Sequence, residues 1–143
     1  LKNKDFIMNG VPVIRIRGYH TDLYGHVNNA RYLEFLEEGR WRLFEDFLDL
    51  DGWMKRGFSF FVVNINIHYK RSIELHETIE IHSGILRYGN KSAVLRQKIF
   101  LQGTDILCAE ADVTFVVIGK ETSGALPITG EIRERLSPLP MAS

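Results

Sequence analysis

The sequence predicts an α+β domain in which a curled, five-stranded antiparallel sheet wraps around one long helix. Three observations carry that expectation. One segment in the first third of the chain has helical apolar spacing and is apolar around most of its circumference. Beyond it the pattern changes to twofold alternation. Tight-turn signals then divide the alternating part into successive strands.

The elements follow in order. Val11 to Gly18 reads as a first strand, with Val13, Arg15 and Arg17 on one face and Ile14 and Ile16 on the other. A polar loop leads to a helix from about Ala30 to Leu48, in which Tyr32, Phe35, Leu36, Gly39, Leu43 and Phe47 keep helical spacing. Asn28 or Asn29 supplies a good N-cap. Leu33, Trp41, Phe44 and Leu48 widen the apolar surface beyond one stripe, so the helix is expected to be largely enclosed. Gly39 costs helix stability, and its presence predicts a close neighbour there.

After Asp51-Gly52, Val63 to Tyr69 alternates with Asn64, Asn66 and His68, and Leu75 to Leu86 sets Ile79 and Ile81 against Thr78, Glu80 and His82. Tyr88-Gly89-Asn90-Lys91 is a turn signal leading to a strand from Ala93 to Gln102. Gln102-Gly103-Thr104-Asp105 is another, leading to Ile106 to Ile118. These strands form an antiparallel meander. Ile128 to Leu136 reads as a short helix or turn. Residues 1–143 are expected to be one domain, with the Ser-Pro-Leu-Pro tail loose from about residue 137.

One helix cannot cover both faces of such a sheet or hide its edges, so a homodimer or homotetramer is expected. Eighteen basic and eighteen acidic side chains cancel, which argues against nucleic acid or an anionic membrane as partner. The single cysteine, Cys108, allows no internal disulfide and fits a reducing compartment. It lies in an alternating run and reads as a packed strand residue rather than a nucleophile. The segment Leu1 to Met8 has no leader-like apolar core, and no run approaches the ~20 apolar residues of a membrane span. A cytoplasmic location is the expectation.

The chemistry concentrates before the helix, in Thr21-Asp22-Leu23-Tyr24-Gly25-His26-Val27-Asn28-Asn29-Ala30-Arg31-Tyr32. A helix N-terminus presents unpaired N–H groups and partial positive charge, suited to holding a carbonyl oxygen as it gains negative charge. An aspartate just upstream can attack that carbonyl carbon or deprotonate water. The same residues also suit a purely structural role, with Asp22 closing a turn, Asn28 or Asn29 capping the helix and His26 packing between them.

Asp22-x-x-Gly25-His26-Val27-Asn28-Asn29-x-x-Tyr32-Leu33-x-x-x-Glu37-x-x-Arg40 resembles the signature of hotdog-fold acyl-CoA thioesterases of the 4-hydroxybenzoyl-CoA thioesterase type, and plant acyl-carrier-protein thioesterases carry a related stretch. The resemblance spans nearly the whole domain and implies the hotdog fold. It implies Asp22 as the catalytic carboxylate, nucleophile or general base. It implies the backbone N–H of Asn29, seven residues on, as the donor that polarises the thioester carbonyl. His26 would shape the site or position water, and Gly25, Val27, Asn28 and Tyr32 would contact substrate. Glu37 is a second candidate carboxylate, although its spacing to Arg40 suits a helix ion pair.

The implied partner is an acyl-CoA or an acyl-carrier protein, with coenzyme A as part of the substrate and no separate cofactor. Its phosphates need basic groups at the tunnel mouth. Lys70 and Arg71, Arg87, and Lys91-Ser92 are candidates, with solvated strand-end charge as the alternative. The acyl group would enter between helix and sheet, with Phe58, Phe60 and Phe61 as candidate lining. His20, His26, Asp22 and Glu37 fit no standard metal-ligand spacing, and no metal is expected. His68, His76 and His82 read as polar-face strand residues, and no Gly-x-Ser-x-Gly elbow occurs. Two other readings stay open. One is a hotdog hydratase or dehydratase, whose motif has a longer Asp-to-His interval and an Asn-Pro where Tyr24-Gly25 stands here. The other is a non-catalytic acyl-CoA or acyl-carrier-protein binding module.

Overall fold

A computed structural model describes residues 8–121 and 123–143; the Leu1–Ile7 segment considered above for a leader lies outside the described residues. The chain runs through β1 (Val13–Arg15), α1 (Asn29–Phe47), α2 (Leu50–Lys55), β2 (Ser59–Tyr69), β3 (Thr78–Tyr88), β4 (Ala93–Leu101), β5 (Leu107–Ile118) and α3 (Gly130–Leu136). The five strands form one sheet in the order β1-β3-β4-β5-β2, every neighbouring pair antiparallel. The β3–β4–β5 meander occupies its centre, and β2 is an edge strand, paired with β5 on one side and with no strand among the described residues on the other.

The concave face carries Ile79, Ile81, Leu95, Ile99, Val113 and Phe115, all buried against the Tyr32, Phe35, Leu36 and Leu43 side of α1. Each such aliphatic or aromatic side chain contributes roughly 1.5–3 kcal/mol through burial. Gly39 lies where α1 comes closest to the sheet. A Cβ there would stand 2.6 Å from Ile81 Cγ2 and 2.8 Å from Gln97 Nε2. Gln97 is fully buried, and its Nε2 donates to Leu36 O and Ser83 Oγ, both at 2.9 Å. A buried amide tolerates this place because its donors are used. Cys108 is a packed strand residue, as expected, but it is buried out of phase with Ala109 and Ala111, at the register shift opposite Ile99 and Phe100.

Several boundaries differ from expectation for identifiable reasons. β1 is shorter than Val11 to Gly18, and a 3-10 turn at Gly18–His20 follows it after Ile16 and Arg17. Pairing with β3 nonetheless extends from Pro12 O, which accepts from Ile81 N, to Ile16 N, which donates to Glu77 O. Asp51-Gly52, after which the apolar period changes, lies inside α2, a short helix capped by Asp49 Oδ1 on Gly52 N at 3.1 Å. β2 starts at Ser59 rather than Val63 because a bulge between Val62 and Asn64 inverts its phase. Phe60 and Val62 face the helix side before the bulge, Ile65 and Ile67 after it. His76 is in a left-handed turn (φ 73°) before β3, not on a strand.

The tail is ordered, contrary to the expectation of a loose end. Leu139 is 4% exposed, Ile85 N donates to Pro140 O at 2.8 Å and Ala142 N donates to Ile85 O at 2.7 Å. Gly84 admits this added strand: a Cβ would approach Ala142 N to 2.7 Å. Among the described residues no helix is long and apolar enough to cross a membrane.

Candidate active site

The segment before α1 folds as a short hairpin-like loop. Asp22 N donates to His26 O (2.9 Å), Gly25 N donates to Asp22 O (3.1 Å), and Thr21 pairs with Val27. Asp22 Oδ1 accepts from Tyr24 N at 2.9 Å, an Asx turn that fixes the carboxylate's direction. Gly25 at φ +78° takes the left-handed corner of this turn. Val27 is buried and anchors the loop, its N–H donating to Ile73 O (2.8 Å), while Leu75 N donates to Gly25 O (3.1 Å).

The shelf that receives the loop is fixed in turn by a two-point ion pair. Arg71 Nη2 and Nη1 donate to Glu77 Oε2 and Oε1 at 2.9 and 3.1 Å, and Glu77 Oε1 also accepts from Glu74 N at 2.8 Å. The Arg71 bonds hold the Glu77 carboxyl below its ordinary range and raise the guanidinium's pKa. Lys70, beside it, is exposed.

Asn28 caps α1. Its Oδ1 accepts from Ala30 N at 2.8 Å, its carbonyl accepts from Arg31 N at 2.9 Å, and its own N–H donates to His20 O at 3.1 Å. The second and third helical N–H groups are therefore occupied. The Asn29 N–H precedes them, at a helical position with no intrahelical acceptor. Tyr69 Oη reaches Asn29 O at 3.4 Å, and the Tyr32 ring meets the Tyr69 ring edge-on at 4.9 Å. Burial pushes the Tyr32 hydroxyl pKa up, so it stays neutral. His20 is engaged structurally: Nδ1 accepts from Arg17 N at 2.9 Å and the ring abuts Phe35. Asp22, His26, Asn28 and Asn29 thus gather around one exposed helix N-terminus.

Lys91 and Ser92 do not join them within one chain. They form the β3–β4 turn, where Gly89 N donates to Ser92 O at 2.7 Å, and Arg87 lies at the same end of β3. The Asp22 loop contacts the chain just before β3 begins, so the length of β3, roughly 33 Å along the strand, separates the two groups.

A cavity of about 470 Å³ lies between α1, α2 and the start of β2, on the helix–sheet side where an acyl pocket was expected. Trp41, Phe44, Trp53, Phe58, Phe60 and Phe115 form its apolar wall, and Phe44 stacks on Phe60 with centroids 4.8 Å apart. Two of the three expected phenylalanines line it; Phe61 lies on the opposite face of β2. Trp53 was hidden in the unforeseen α2. Glu37 and Arg40 are the charged residues on the cavity wall. The expected Glu37–Arg40 ion pair does not form. Arg40 Nη1 instead donates to Gln97 Oε1 at 3.2 Å, because Gly39 brings the buried amide under the helix.

Known proteins resemble this chain in sequence and fold. The family model of the thioesterase-like superfamily matches residues 16–136. The chain is 47% identical over 124 residues to a long-chain acyl-CoA thioesterase of Escherichia coli, covering 86% of this chain and 93% of that protein. A putative acyl-CoA thioesterase of Bacillus subtilis is 33% identical over 110 residues, covering 76% and 79%. The crystal structure of a probable thioesterase from Escherichia coli superposes with a TM-score of 0.85 at 43% identity, covering 90% of this chain and 97% of that one. A Staphylococcus aureus protein solved in complex with CoA shares the fold at a TM-score of 0.78 and 14% identity, covering 93% and 87%.

Proposed function

This chain belongs to the thioesterase-like superfamily, and from that premise we propose that it hydrolyses long-chain acyl-CoA to the free acid and coenzyme A at the N-terminus of α1. The observation that carries this reading is the pairing of a direction-fixed carboxylate, Asp22, with an uncapped first-turn N–H, Asn29, across one short loop. The thioester carbonyl oxygen accepts from Asn29 N–H, where the helix dipole stabilises its developing charge. Asp22 either attacks the acyl carbon or takes a proton from the attacking water. The C–S bond breaks, the thiolate leaves as coenzyme A and takes up a proton, and water supplies the oxygen of the new acid. Val27 and Asn28 hold the loop and cap in register, His26 lies beside them, and Tyr32 borders the acyl group. No cofactor or metal enters this scheme.

The acyl chain then lies along one stripe of α1. Asn29, Leu33, Glu37, Arg40 and Phe44 share a helix face within about 80°, running into the cavity. A cavity of this size and apolarity suits a long alkyl chain, in keeping with the activity named for the Escherichia coli relative.

We further propose a homodimer formed by β2 edges. The edge is long, and Phe61, Val62 and Val63 on it are each at least 42% exposed, a combination that monomers avoid. An antiparallel β2–β2 pair brings the Lys91-Ser92 end of a second copy to the Asp22 end of the first, where Lys70 also lies. This supplies basic groups for the phosphates that one chain leaves far apart. A cytoplasmic location accords with this substrate.

The test is thiol release from acyl-CoAs of increasing chain length, with Asp22→Asn alongside. The expected result is a maximum at long chains and a loss of about 100-fold or more in kcat for the variant. Near-normal kcat in Asp22→Asn would remove Asp22 from this role. Release from acyl-carrier protein but not from acyl-CoA would overturn the assigned carrier.

A further inference from the structure

The cavity behind the site is mostly apolar; besides Ser59, its polar lining is the exposed Glu37 and the half-buried Arg40. Glu37 and Arg40, one helical turn apart on α1, both line it, yet they form no ion pair with each other. Among the described residues Arg40 pairs with no carboxylate at all. Its single side-chain bond is to the Gln97 amide oxygen, which leaves most of its five N–H donors free. Burial lowers the guanidinium pKa while the Glu37 charge raises it, so the two charges sense each other across the cavity wall without touching. A half-buried cation beside aromatic walls carries a desolvation cost that a plain alkyl chain does not relieve.

The pair presents one donor group and one acceptor group to the same space. A carboxylate on the ligand would be repelled by Glu37. An oxo group would satisfy Arg40 and leave Glu37 facing an acceptor. A hydroxyl matches both, since it donates one hydrogen bond and accepts others.

We propose that Glu37 and Arg40 form a specificity site for acyl chains bearing a hydroxyl group remote from the thioester, with the hydroxyl donating to Glu37 and accepting from Arg40. The inference rests on the reading of the chain as an acyl-CoA thioesterase whose acyl group enters this cavity. Remoteness follows from the helix rise. Glu37 and Arg40 lie eight and eleven residues beyond Asn29, roughly 12 and 16 Å along the axis, well past the carbons next to the carbonyl.

The experiment compares kcat/KM for stearoyl-CoA with that for hydroxystearoyl-CoAs carrying the hydroxyl at successive positions, and for the matching oxo compounds. The expected result is a preference of about tenfold for hydroxyl at one mid-chain position, less for the oxo analogue, and none for hydroxyl beside the carbonyl. Glu37→Gln and Arg40→Lys are read as ratios of hydroxylated to plain substrate, so a general change in activity cancels. Both ratios should fall toward one. Equal kcat/KM for plain and all hydroxylated chains, or an undiminished ratio in Glu37→Gln, would overturn the proposal while leaving hydrolysis intact. Absence of thiol release from every chain, stearoyl-CoA included, would overturn the thioesterase reading itself.

Discussion

Replacing Gly39 with alanine probes the contact on which both the fold and the cavity depend. The new Cβ would lie 2.6 Å from Ile81 Cγ2, 2.8 Å from Gln97 Nε2 and 3.3 Å from Ser83 Oγ. An ordinary contact would require the helix or the sheet to retreat by nearly 1 Å. Such overpacking costs about 1–3 kcal/mol. Gln97 is fully buried, so stretching its bonds to Leu36 O and Ser83 Oγ exposes the molecule to the larger penalty for an unmade buried hydrogen bond, about 1–3 kcal/mol. Against these, alanine gains ~1 kcal/mol of helix propensity. The net expectation is a loss of about 3 kcal/mol, or roughly 10 °C in Tm for a domain of this size. Urea unfolding should show a lower midpoint with an unchanged slope. A neutral or stabilising Gly39→Ala would refute the close approach, and with it the reason that Arg40 is turned to Gln97 rather than Glu37.

Three further outcomes are expected. Deleting residues 138–143 removes the buried Leu139 and two backbone bonds to Ile85, and urea unfolding should record a loss of about 3 kcal/mol; unchanged stability would mean that the tail is not docked in solution. Asn28→Ala removes the cap on Ala30 N and should cost about 1 kcal/mol in thermal unfolding while also lowering kcat, because the same cap fixes the first turn that holds the substrate carbonyl. The Glu77 carboxyl, held by Arg71 below its ordinary value of 4.5, contributes stability above that pH and loses it as the pH falls through the folded value. The stability difference between wild type and Glu77→Gln should therefore shrink on acidification below 4.5; a constant difference would show that the carboxylate's charge is not what holds the Asp22 shelf.

The architecture was legible because the burial that shapes it most is local and periodic along the chain. The buried stripe of Tyr32, Phe35, Leu36, Gly39 and Leu43 on α1 and the alternation along most of β3 to β5 leave few ways to bury that surface, although α1 is not enclosed as expected: Leu33 and Trp41 stay exposed on its outer side. What escaped was non-periodic. A one-residue bulge at Val62–Asn64 inverted the phase of β2 and hid its first half. Asp49 turned a nominal loop into α2, which carries Trp53 into the cavity wall. The tail is ordered by backbone bonds to Ile85 beside Gly84, a docking that no side-chain pattern announces. The Asp22 loop was recognisable as a motif, but its composition fitted capping as well as chemistry. The structure displays the capping half of that ambiguity in the Asp22–Tyr24 and Asn28–Ala30 bonds. The Glu37–Arg40 spacing pointed to a helix pair, and the buried Gln97, distant in sequence, took the arginine instead.

The most direct test of catalysis at the foot of α1 is Asn29→Pro. Proline is well accepted at the first helical position, and Asn28 already has the extended backbone (φ −64°, ψ 139°) that a following proline requires. The substitution removes the N–H together with the exposed carboxamide, and Asn29→Ala, which keeps the N–H, separates the two. Steady-state hydrolysis of a long-chain acyl-CoA should show kcat lower by about 100-fold or more, with Tm preserved. A kcat within about twofold of wild type at unchanged Tm would place the carbonyl-polarising donor elsewhere and contradict the mechanism.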